Sequence, residues 1–77
     1  MARRMTYHVA RNREKRWQVR LAGSSGAIST HRTQAVAIDS ARTLAKAQEL
    51  GQVKVHGLSG RIRTEFTYGE DPSRFEG

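Results

Sequence analysis

The sequence has no cysteine, one proline, and only one Trp, two Tyr and two Phe. Without thiols there is no disulfide framework, no thiolate metal site and no cysteine nucleophile, so a small fold rests on packing alone and a cytoplasmic location is expected. No apolar stretch approaches the roughly 20 residues needed to cross a bilayer. Met1-Ala2-Arg3-Arg4-Met5 has no apolar run behind its charges, so the expectation is a soluble chain with no leader and no membrane partner. Acids are scarce in one part only. Residues 1–32 hold eight Lys/Arg against Glu14 alone, a balance of +7, whereas residues 33–77 hold six of each sign and balance to zero. Such asymmetry concentrates polyanions, or an acidic protein surface, near the first part; the plainer reading is solubility.

What is present suffices for one domain. A chain of 77 residues buries only about 60% of its unfolded surface, which leaves little stability to support a strained catalytic site. Thr6 to Ala10 alternates polar and apolar residues, as does Trp17 to Leu21, and the polar stretch Arg11 to Lys15 between them predicts a hairpin. Gly23-Ser24-Ser25-Gly26 breaks the pattern, and Ala27 to Thr30 predicts a short third strand. A helix is expected over Gln34 to Leu50, with Thr33 as N-cap, Gly51 as stop, and Ala37, Ile38, Ala41, Leu44 and Ala45 on its buried side. The opposite side, with Asp39, Arg42, Lys46 and Glu49, reads as a solvated, locally paired surface. A second hairpin follows: Val53 and Val55, the turn Gly57-Leu58-Ser59-Gly60, then Ile62, Thr64, Phe66 and Tyr68 on one face.

This order, ββ(β)αββ, predicts an α+β domain over residues 6–68, with a mainly antiparallel sheet of four to five strands and the helix on one face. Residues 1–5 are expected as a basic N-terminal arm and 69–77 as a flexible acidic tail. Strand parity assigns His8, Gln18, Arg20, Lys54, His56, Arg61, Arg63, Glu65 and Thr67 to the open face.

The order and spacing of Tyr7-His8-Val9, Trp17-Gln18-Val19, Ala35-Val36-Ala37-Ile38 with Ala41 and Leu44-Ala45, Val53-Lys54-Val55-His56-Gly57, Gly60-Arg61-Ile62 and Thr67-Tyr68-Gly69-Glu70-Asp71-Pro72 resemble the small prokaryotic domain-of-unknown-function family 2188 (DUF2188). The resemblance runs from about Met5 to Pro72. It implies the fold and its boundaries and carries no activity, cofactor or catalytic residue. Arg11, Arg13, Lys15 and Arg16 stand where a milder polar turn would serve.

Three functions follow from the residues. Arg11, Arg13, Lys15, Arg16 and Arg20, with Arg3 and Arg4 nearby, form a dense basic cluster, and arginine's planar fork suits phosphate. With Lys54, Arg61 and Arg63 they predict a non-enzymatic module that grips nucleic-acid phosphates without reading sequence. The same charge would serve a module that docks an acidic protein, and an exposed sheet edge would allow a homodimer. A small ribonuclease is the third reading, with His8, His56 and Glu65 as acid-base groups and Arg61 and Arg63 on phosphate; ordinary histidines on an exposed sheet explain the same residues. His8, His31 and His56 lack metal-site spacing, so no metal or other cofactor is expected. Trp17, Tyr7, Phe66 and Tyr68 share parity with core residues and read as packing, and the turn at Gly57 to Gly60 has neither the lysine nor the helix of a phosphate loop.

Overall fold

Six elements make up residues 4–69, the part of the chain that the computed structural model describes: β1 (Arg4–Arg11), β2 (Trp17–Leu21), β3 (Ala27–His31), α1 (Gln34–Lys46), β4 (Leu50–His56) and β5 (Ile62–Tyr68). The predicted α+β domain is there, with the third strand present. The sheet runs β3-β2-β1-β4-β5. Three of its pairings are antiparallel, while that of β1 with β4 is parallel, so the sheet is mixed.

The helix causes the parallel pairing. At about 1.5 Å per residue its 13 residues span about the length of a strand, so the chain leaves β3 at one end of the sheet and returns at the other. β4 must then run in the direction of β1 and β3. It takes the place beside β1, where Tyr7 and Val9 meet Val53 and Val55, rather than beside β3, whose Ala27, Ser29 and Thr30 offer little apolar area.

The core lies between sheet and helix. Val9, Val19, Val53 and Val55 are wholly buried with Tyr7 and Trp17 against the stripe Ala37, Ala41 and Ala45, and each valine contributes about 1.5–3 kcal/mol by burial. The alanines let the helix lie close enough that a Cβ at Gly51 would strike the backbone of Ala45, with Ala45 C at 2.7 Å and Cα at 2.9 Å. Ile38, Leu44, Phe66 and Tyr68 pack at the margin. Arg42 does more than face solvent: its Nε donates to the Tyr68 hydroxyl at 2.6 Å, and its guanidinium lies 4.8 Å from the Phe66 ring centroid.

Three expectations need correction. The helix stops at Lys46, with Ala47 as its C-cap, so residues 47–50 are not helical and Gly51 is not the stop. Leu50 and Gly51 pair instead with Arg4 and Met5 at the start of β4, where tertiary strand pairing outweighs local helical pattern. Ile62 does not share the inward face of Thr64, Phe66 and Tyr68. A register shift between Val55 and His56 pairs Ile62 with His56, on the open side. The same shift turns Arg63 off the open face, and its Nη1 donates to Gln34 Oε1 at 2.6 Å on the helix side.

β1 also starts at Arg4, two residues before the expected strand, so Arg4 and Met5 belong to the sheet. The rest of the expected arm, residues 1–3, and the expected tail from residue 70 lie outside the described residues. No helix among the described residues is long and apolar enough to cross a membrane.

Candidate nucleic-acid interface

The β1–β2 turn is built around Asn12. Its Oδ1 accepts the backbone N–H groups of Glu14 at 2.9 Å and Arg16 at 3.0 Å, its own N–H donates to the Arg16 carbonyl, and Lys15 N–H donates to its carbonyl. A three-residue loop of this kind needs a left-handed residue at its end, and Lys15 occupies that position with φ 64°. The loop thus holds Arg13, Glu14 and Lys15 out from the sheet between Arg11 and Arg16, all of them exposed.

The parallel β1–β4 register brings other cations to the same end. β1 and β4 finish together, so the β4–β5 turn with Arg61 lies beside the β1–β2 turn. Trp17 pairs with both Arg11 and His31, which puts the end of β3, Arg32 and the start of α1 there too. Seven exposed cations, Arg11, Arg13, Lys15, Arg16, Arg32, Arg61 and Arg63, face one acid, Glu14. The helix contributes the positive end of its dipole and has no acid in its first turn.

A second group lies mid-sheet on the open face. His8 is paired with Arg20 on one side and Lys54 on the other, and Lys54 in turn with Glu65. His8 Nδ1 is 2.9 Å from His56 Nε2, and His56 Nδ1 is 3.1 Å from the Gly60 carbonyl oxygen. The rings tilt by 32° with centroids 5.2 Å apart. They border a recess of about 360 Å³ that extends over Arg20 and the start of the β2–β3 loop. Burial holds the pKa of His8 below its ordinary value, and His56, Lys54 and Arg20 add to that through their charge. Arg20 Nη2 donates to the carbonyls of Ser24 at 3.4 Å and Ser25 at 3.2 Å, which fixes the guanidinium at the rim.

A family model described as "Uncharacterized protein conserved in bacteria (DUF2188)" matches residues 7–68. The chain belongs to DUF2188. The match runs from Tyr7, within β1, to the last residue of β5, so the DUF2188 unit takes in the helix and all five strands apart from the first three residues of β1, and includes both basic groups. No curated protein and no solved structure matches the chain.

In this DUF2188 chain the predicted binding residues divide. Arg11, Arg13, Lys15, Arg16 and Arg61 gather at one end as exposed side chains, while Arg20 and Lys54 sit mid-sheet with the histidines, and Arg63 is tied to Gln34. Arg3 lies outside the described residues, and Arg4 is at the opposite end of β1. Sequence reasoning missed Arg32, whose signal was its place directly after the third strand. His8 and His56 meet as parity allowed, but Glu65 hydrogen-bonds Gln52, at 3.4 Å, and not the pair. The two rings bond each other, so in this arrangement they do not stand on opposite sides of a phosphodiester as separate acid and base. Tyr7 and Trp17 are buried, and Phe66 and Tyr68 lie under Arg42 and Lys46, which leaves no aromatic among the described residues as an open stacking platform.

Proposed function

We propose that this domain is a non-enzymatic module that binds nucleic acid through its phosphates, using the end of the sheet formed by the two hairpin turns. The observation that carries the reading is the gathering of six exposed cations, Arg11, Arg13, Lys15, Arg16, Arg32 and Arg61, against Glu14, with Arg63 nearby but bonded to Gln34. Arg11, Arg13, Lys15 and Arg16 are the primary contacts, and Arg32 and Arg61 extend the surface. A basic hairpin tip of this size suits a groove edge or a single strand, and the buried aromatics favour contact with the backbone over reading of bases.

Affinity then comes mainly from released counterions. The logarithm of the binding constant should fall with the logarithm of salt by about 0.9 for each phosphate neutralised on duplex and about 0.7 on single strands. Fluorescence anisotropy with a labelled duplex and a labelled single strand measures this slope. The fourfold variant Arg11→Gln, Arg13→Gln, Lys15→Gln, Arg16→Gln should lower it by about 3–4 on duplex. Absence of binding at low salt, or an unchanged slope in the variant, refutes the reading.

A further inference from the structure

The hydrogen bonds around the two histidines determine where their protons lie. Nδ1 of His56 faces the Gly60 carbonyl, which only accepts, so Nδ1 carries the hydrogen and Nε2 of the neutral ring is an acceptor. That acceptor is met by His8, so His8 carries its hydrogen on Nδ1 and holds a lone pair at Nε2. One proton can join His8 at Nε2 without breaking either bond.

The charges facing this position come from three strands. β2 contributes Arg20, β4 contributes Lys54 and His56, and β5 contributes Glu65 beyond Lys54. β3 offers Ala27 opposite Arg20, and α1 lies on the other face of the sheet. Glu65, the one acid of this group, is engaged with Gln52. Two of the Arg20 N–H groups are used on the loop carbonyls, leaving those on Nε and Nη1 available. Arg20 and His56 in the lining, with Lys54 paired beside His8, disfavour a further positive charge on His8, and an anion seated in the recess reverses that preference.

We propose that the recess bordered by His8, His56 and Arg20 is a proton-linked phosphate site, in which Arg20 holds a phosphate group, His8 takes up one proton at Nε2 to bond it, and Lys54, paired beside His8, adds positive charge from outside the lining. These residues are separate from the hairpin tip, so the site stands independently of the nucleic-acid reading. The phosphate belongs either to a small phosphorylated molecule or to a nucleic-acid strand that reaches the face from the tip.

The ring signals of His8, followed by NMR against pH, test this with inorganic phosphate, with a short oligouridylate, and with chloride at matched ionic strength. Phosphate should raise the His8 midpoint by about one unit, equivalent to about tenfold tighter binding at low than at high pH. A rise with inorganic phosphate identifies a site sufficient for a small ligand, and a rise with the oligonucleotide alone identifies a backbone phosphate. No rise with either, or an equal rise with chloride, overturns the proposal. Arg20→Gln should abolish the response while leaving the His8 titration itself visible. The fourfold tip variant should still respond to inorganic phosphate, so failure at the tip and failure at the recess are distinguishable.

Discussion

Lys15 is where the demands of the turn and of the proposed ligand part, and replacing it by glycine separates them. A left-handed backbone costs an L-residue roughly 1–2 kcal/mol, and Lys15 adopts it at φ 64°. Glycine avoids that cost but loses about 0.5–1 kcal/mol through its freer unfolded chain. The net expectation for Lys15→Gly is a gain of about 0.5–1 kcal/mol, with Tm rising by about 4–8 °C per kcal/mol in a domain of this size. The turn survives because its bonds run through Asn12, the Arg16 backbone and the Lys15 N–H, which glycine keeps. One cation leaves the tip, so the salt slope on duplex should fall by about 0.9. Urea unfolding and anisotropy on one protein stock measure both effects. A variant less stable than the parent would refute the strain argument, and a slope that did not move would remove Lys15 from the contact surface.

Gly51→Ala should cost about 1–3 kcal/mol or more by forcing a methyl into the Ala45 backbone, whereas Gly26→Ala, with open space around its Cβ position, should be close to neutral; equal urea midpoints for the two would refute the packing. Thr33→Ala removes the acceptor for Val36 N–H, 3.2 Å away, and should cost about 1 kcal/mol, while Thr33→Ser should keep most of it. His8 has a pKa below its ordinary 6.5 in the folded chain, so the unfolded chain binds the proton first as pH falls. Stability is then full above pH 6.5 and is lost below it, toward the lowered folded pKa, with a slope of at most about 1.4 kcal/mol per pH unit. In phosphate-free buffer His8→Gln should flatten that part of the profile, and superimposable pH curves would contradict it.

Much of this architecture is legible in the sequence because it is local. Trp17 to Leu21 alternate strictly and form β2, and Thr33 ahead of an alanine stripe starts α1 where a cap is expected. Parity also put His8 and His56 on one face. The illegible parts are those that local pattern cannot carry. Nothing around Arg4 or Leu50 announces that their strands pair in parallel, yet that pairing brings the turn with Arg61 to the same end of the sheet as the turn with Arg13. One extra residue in β5, Arg63 between Ile62 and Thr64, reverses the parity before it, and alternation in the sequence continues through the bulge as if it were absent. The helix end was misplaced for a related reason: Ala47 and Gln48 suit a helix, but strand pairing at Leu50 and Gly51 decides where it finishes.

The position of β1 at the centre of the sheet has a consequence for how the chain acquires its structure. Synthesised ahead of the other strands, β1 can fold against β2 within microseconds, but its other flank stays bare until β4 has been synthesised. Closing the two halves across that long separation is a late event in assembly, and until then the Tyr7 and Val9 row is a sticky ledge. Deleting β1 would therefore split the sheet down its middle instead of trimming its border.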